Sequence, residues 1–166
     1  MYRTIADFEN AWKIETDNTL KVLRALTDES LAQTIAPEFG SLGSLAWHLV
    51  WAAVGLSGAA GLRVEGPGRN DPQPTSAAEI ASAYEKVAEA IRAAATSKWT
   101  DADLTGMISF FGRDIPAGML LSIIVLHQTH HRGQMTVLMR QAGLAVPGMY
   151  GPSREEMAAM AAAASR

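Results

Sequence analysis

Cysteine is absent from this chain of 166 residues. Disulfides are therefore excluded, and any bound metal must take nitrogen and oxygen ligands; a reducing compartment is compatible with that composition. Charge of one sign is also scarce. The net charge is -3, and no basic cluster is present. That excludes a strong electrostatic pull toward nucleic acid or anionic membrane. No apolar run reaches the ~20 residues that span a bilayer, and the N-terminus, Met1 to Glu9, has no apolar signal core. These absences predict a cytoplasmic protein with no nucleic-acid or membrane partner. No convincing strand pattern or internal repeat is visible.

What is present is helical periodicity. About half of the residues are apolar, enough for one globular domain spanning residues 1–166. Between Thr4 and Leu26, the residues Ile5, Phe8, Trp12, Thr19, Val22, Leu23 and Leu26 fall on one helical stripe. Thr4 and Asp7 form a capping box at its start. Asp28 to Leu31 predicts a short helix, and Pro37 to Gly40 a break. Ser41 or Ser44 then caps a helix through about Leu62. Gly66 to Pro74 reads as a loop. Ser76 and Glu79 make a second capping box, opening a helix to about Thr96. Trp99 to Gly112 is irregular. Asp114 and Pro116 predict the start of a helix that ends at Gln141, with Gly143 as its C-terminal cap. Pro147 to Pro152 is an extended turn, and Ser153 with Glu156 caps a last, alanine-rich helix. Four long helices and two short ones give an all-α fold, a four-helix bundle. The long connections near residues 27–40, 63–75 and 97–113 leave room for crossovers.

Three of the four histidines lie in the run His127-Gln-Thr-His130-His131-Arg132-Gly133-Gln134. At about 100° per residue, with His127 at zero, His131 falls at about +40°, Gln134 at about -20° and Leu120 at about +20°. Both His127 and His131 thus lie mid-stripe on an apolar helix, four residues apart, where two imidazoles reach one ion. The fourth histidine, His48, lies in another apolar segment, Ser44 to Leu56. A buried imidazole needs partners for its nitrogens, and an unpaired one costs about 1–3 kcal/mol. A divalent ion on His48, His127 and His131 meets that need, completed by water. Three protein ligands and an open position form the catalytic rather than the structural zinc pattern, and nickel or iron would also accept imidazole. A hydrogen-bonded polar cluster without metal is the competing reading.

Other residues divide in the same way. His130 lies on the flank of the stripe, as a helix-contact residue or a support to the ligands. Arg132 points away, at about 140°, and predicts a surface or interface position. Gly133 suits the close approach of a neighbouring helix. Gln134 lies on the metal face, one turn beyond His131, and is a candidate for orienting a nucleophile. Glu15 stands mid-stripe in the first helix, where a carboxylate is costly unless paired. It is a candidate general base, metal ligand or orienting residue, with a salt bridge as the alternative. Trp47 and Trp51 flank His48 as packing residues.

Three segments together resemble the DinB/YfiT-like superfamily of small bacterial metalloproteins, across nearly the whole chain. Leu126 to Met135 is similar to that family's H-x-x-x-H-R-G-Q signature. Leu45-Ala-Trp-His48-Leu matches the earlier helix with the first histidine. Arg140-Gln-Ala-Gly143 through Tyr150-Gly151-Pro152 matches the segment after the signature. The resemblance implies a bundle of up-down-down-up order, a divalent metal (zinc or nickel) on His48, His127 and His131, and a homodimer. It also implies a small-molecule substrate. Known activities in the family include bacillithiol-using thiol S-transferases and a mycothiol-dependent maleylpyruvate isomerase. The function expected is therefore a metal-dependent enzyme using a low-molecular-weight thiol, or a hydrolase. The alternatives are a non-catalytic metal-binding stress-response or structural protein, and a bundle without metal.

Overall fold

In the computed structural model, which describes residues 2–165, four long helices form the body: α1 (Ile5–Arg24), α2 (Leu42–Ala59), α3 (Ala77–Lys98) and α4 (Ala117–Gln141). A fifth, α5 (Arg154–Ala164), follows, and 3-10 turns lie at Glu29–Ala32 and Asp101–Thr105. The expected all-α class holds. α1 packs on α3 and α4, and α2 packs on the same two helices. The ion pairs Glu9–Arg92 and Arg24–Glu85 run α3 antiparallel to α1.

The helix starts follow from local chemistry. Thr4 and Asp7 satisfy each other's backbone as a capping box, as do Ser153 and Glu156. The Ser41 hydroxyl accepts from the Ser44 N–H. Ser76 does not cap as its sequence predicts. Its hydroxyl makes no capping bond; instead Asp28, arriving from the first connection, accepts from the Ala77 N–H at 2.7 Å. At the end of α4, Gly143 adopts φ +74, and Leu144 N donates to Met139 O at 2.9 Å. That left-handed cap is costly for any residue with a Cβ.

One local expectation fails. Met107–Phe110 (β1) and Arg113–Pro116 (β2) form an antiparallel hairpin, not an irregular stretch, and Asp114 sits in it opposite Ser109. Phe111 and Gly112 take positive φ at the turn, the two-residue geometry of a tight hairpin. The first N–H of α4 is satisfied by the Gly106 carbonyl at 2.8 Å rather than by Asp114.

Phe8, Trp12, Leu42, Leu49, Ile80, Tyr84, Ile91 and Leu120 are almost wholly buried between the helices. Each such apolar side chain stabilises the bundle by about 1.5–3 kcal/mol relative to exposure. The whole predicted stripe of α1 is buried, and the Trp12 indole N–H donates to the Ala88 carbonyl of α3 at 2.9 Å. α2 is the most apolar helix. Its 18 residues reach a mean hydropathy of 1.3, comparable in length and composition to a membrane span. Its packing on α3 and α4 is that of a core helix, and it carries His48 to the facing α4.

Candidate metal centre

α2 and α4 bring His48, His127 and His131 together. The Nε2 atoms lie 3.2 Å (His48–His127), 3.1 Å (His48–His131) and 3.2 Å (His127–His131) apart. Ligands about 2.0–2.1 Å from one tetrahedral ion stand about 3.3–3.4 Å from one another. The three nitrogens therefore have close to the spacing of three ligands on a single ion. Their chemistry agrees. A neutral imidazole nitrogen presents either an N–H or a lone pair. Three nitrogens in mutual contact cannot all alternate, so at least one pair must set like against like. A cation shared by three lone pairs removes that conflict. Among the described residues the group contains no carboxylate or fourth histidine.

The surroundings keep the rings neutral, the form that binds metal. Burial, followed by the charges of His131, His127 and Arg69, pushes the His48 pKa down to about 4. Burial also lowers His127, assisted by His131 and His130. It lowers His131 too, with His130 assisting and the Gln134 hydrogen bond opposing. Gln134 lies where the wheel places it, and its Oε1 is 2.7 Å from His131 Nδ1. Accepting from Nδ1–H fixes the tautomer whose Nε2 lone pair faces the other histidines. His48 packs edge-on against Trp51, with ring centroids 4.4 Å apart. His130 stacks edge-on against His131 at 4.9 Å and is exposed, a flank position as expected.

Arg132 is a correction. It is 1 % exposed, not a surface residue. α4 packs on α1 as well as α2, so the side of the helix away from the histidines is buried too. There Arg132 donates to the Glu15 carboxylate at 2.6 Å, the Glu15 carbonyl at 2.9 Å and Thr19 Oγ1 at 3.0 Å, and it also reaches the Tyr150 hydroxyl. Glu15 is thereby placed: of the alternatives open to it, the salt bridge is the one formed. Its carboxylate also accepts from the Tyr150 hydroxyl at 2.7 Å and from Thr129 at 3.3 Å. Burial would raise its pKa, but the bonds from Tyr150 and Arg132 and the charge of Arg132 outweigh this and leave it below the usual value. The structure thus sets Glu15 on the α1 side of α4, outside the histidine group. Gly133 faces open space: among the described residues, nothing lies within 4 Å of where a Cβ would stand.

Two features went unread in the sequence. Arg69 lies 5.9 Å over the Trp51 ring and adds positive charge near His48. A lone arginine in a Gly- and Pro-rich loop gives no periodic signal. The other is a cleft of about 320 Å³ beside Gln134, lined mainly by apolar side chains of the first connection, α2 and α4.

Known proteins resemble this one along its length. The family model described as "DinB family" matches residues 1–165. YrdA of Bacillus subtilis (strain 168) is 47% identical over 159 residues, covering 95% of each chain. A DinB-like protein from Bacillus cereus ATCC 10987, solved by crystallography, is 52% identical, with a TM-score of 0.87 over 90% of this chain and 100% of its own. The crystal structure of the DinB-like protein YjoA from Bacillus subtilis shares the fold at 15% identity, with a TM-score of 0.69 over 89% of this chain and 99% of its own.

Proposed function

The chain belongs to the DinB family, and from that premise we propose that it is a metal-dependent enzyme acting on a small molecule at the His48–His127–His131 centre. The observation that carries this reading is the convergence of three Nε2 atoms within 3.2 Å without a fourth protein ligand among the described residues. A divalent ion, zinc or nickel, held there would lower the pKa of a water or thiol and supply a nucleophile at neutral pH. Transfer of a low-molecular-weight thiol to an electrophile is the specific reaction proposed, with hydrolysis as the second form.

The chain's own residues contribute binding and orientation. His48, His127 and His131 hold the cation in their neutral forms. Gln134 keeps the His131 proton on Nδ1. Arg69 offers a positive charge on the Trp51 side, suited to an anionic group of a substrate. Glu15 acts at a distance, by fixing Arg132 and hence the α1 face of α4. A set of three neutral ligands leaves the charge of a divalent cation uncompensated, which favours hydroxide or thiolate as a further ligand.

Metal analysis of untagged protein, purified without a nickel column, tests the centre. One divalent ion per chain is expected, lost in the variant with all three histidines replaced by alanine. Cobalt substitution tests the chemistry, because its visible spectrum reports coordination. A spectrum that shifts with added thiol and with pH supports the enzyme. A spectrum indifferent to both supports the second reading, an ion that only ties α2 to α4.

A further inference from the structure

We infer that the apolar cleft beside Gln134 is the substrate subsite of the three-histidine centre, and that it takes an uncharged, straight-chain apolar group attached to the metal-binding head of the substrate. The inference rests on the reading of that centre as an open catalytic site. Its basis is position. Ile35, Phe39, Leu45, Gln134, Val137 and Leu138 line the cleft. Leu45 is one helical turn before His48 on α2. Gln134 is one turn after His131 on α4 and bonds to it at 2.7 Å. The cleft therefore begins where the centre ends, and the one polar side chain in its wall is the residue that orients a candidate ligand.

Its size and chemistry select the occupant. At about 320 Å³ it holds a small-molecule group rather than a protein helix. None of the six side chains carries a charge, so an ionised group would enter without a partner. Ile35 and Phe39 are 61 % and 60 % exposed in the connection that roofs it, and Val137 is 51 % exposed in its floor. Covering them recovers apolar surface that the bundle leaves in water. The connection is pinned by the Leu42 N–H on the Gln33 carbonyl at 2.8 Å. From His131 to Leu138 α4 rises about 10 Å, the reach of a chain of about eight carbons.

The experiment titrates cobalt-substituted protein with straight-chain alkyl hydroxamates, from acetohydroxamate to octanohydroxamate, and reads the visible spectrum. Affinity should rise about fourfold per methylene until the cleft is filled. Ile35→Asp and Val137→Asp, at exposed positions that leave the core intact, should flatten that rise while acetohydroxamate binds as before. If acetohydroxamate binds and chain length makes no difference, or the variants keep the rise, the subsite assignment is wrong and the open centre stands. If no hydroxamate changes the cobalt spectrum, the centre is closed and both readings fall. If either variant changes the mass in light scattering, the cleft is an interface between copies and the inference is overturned.

Discussion

Arg132 and Glu15 form a buried ion pair between α4 and α1, with Nη2 2.6 Å from Oε2 and side chains only 1 % and 13 % exposed. The pair sits on the side of α4 opposite the histidines, so one helix carries two polar clusters of different kinds. One is charged and fully bonded. The other is neutral and fits a cation. Tyr150, from the segment after α4, closes the charged cluster by bonding both partners.

Removing one partner of such a pair should therefore destabilise the fold without touching the centre. A lone buried charge costs about 3–5 kcal/mol. Arg132→Met should lose about that much in urea denaturation, and Glu15→Gln less, because the amide still accepts from Arg132. Arg132→Met combined with Glu15→Leu should recover part of the loss. Metal content per folded chain should stay at one throughout. Stability unchanged in Arg132→Met would show that water compensates the charge.

The pH dependence of the metal-free protein follows from His48. Its pKa is about 4 in the fold against about 6.5 when unfolded. Between those values the unfolded chain binds more protons, so stability rises with pH. The contribution is fully present above about pH 6.5, falls as pH drops through the window, and levels off below about 4. The depressed carboxyls, Glu15 among them, add their own loss only nearer the ordinary carboxylate range. Melting temperatures of the metal-free protein at pH 7 and 5 should thus differ, with the lower value at pH 5. Replacing His48 with Asn should reduce that difference, with the remainder carried by His127 and His131, which burial also depresses. Bound metal should protect against the same acid step, since it competes with the proton for the ring.

The histidine centre was legible because its information is periodic. His127, His131 and Gln134 share one face by spacing alone, and His48 lies on a second apolar helix. Arg132 was misread for a related reason. The wheel assumed one buried stripe, whereas α4 is buried against both α1 and α2, which places Gln128 and Arg132 inside. Two capping signals misled because nearby groups competed for the same backbone: Asp28 for Ala77, and Gly106 for Ala117. The hairpin escaped because each strand has only four residues, too few for alternation to register. Its turn also uses Phe111 at positive φ, where Asn or Gly is the usual signal. The cleft depends on how the 33–41 connection lies over α2 and α4, and no local pattern encodes that.

α5 has no buried residue, and it exposes Met157 and Met160 at 58 % and 63 %. It is tethered near its N-terminus, through the Glu155 ion pair with Arg140 and the Glu156 bond to the Gly148 N–H at 2.9 Å. Apolar surface of that kind calls for a cover, and we expect a homodimer in which α5 contributes. Light scattering should give twice the chain mass, and Met157→Asp with Met160→Asp should reduce it to one. A monomer at every concentration would refute the expectation.

Gln134 offers the sharpest test of how the centre is tuned. Its carbonyl oxygen holds the His131 proton on Nδ1 from 2.7 Å. Losing such an outer contact commonly lowers metal affinity about 10–100-fold while the ligand set stays intact. Gln134→Met keeps the side-chain length and removes the amide acceptor. It should still bind one ion at saturating metal, but with affinity reduced in that range and with little change in thermal stability. Gln134→Glu restores an acceptor, now charged, and should bind at least as tightly as the parent. The methionine variant separates the hydrogen bond from the packing: it should bind like the parent if Gln134 merely filled space, and more weakly if Gln134 sets the tautomer, while the glutamate keeps both size and acceptor. Equal affinities in the parent and Gln134→Met, measured by competition with a chelator, would show that His131 is oriented by its helix alone.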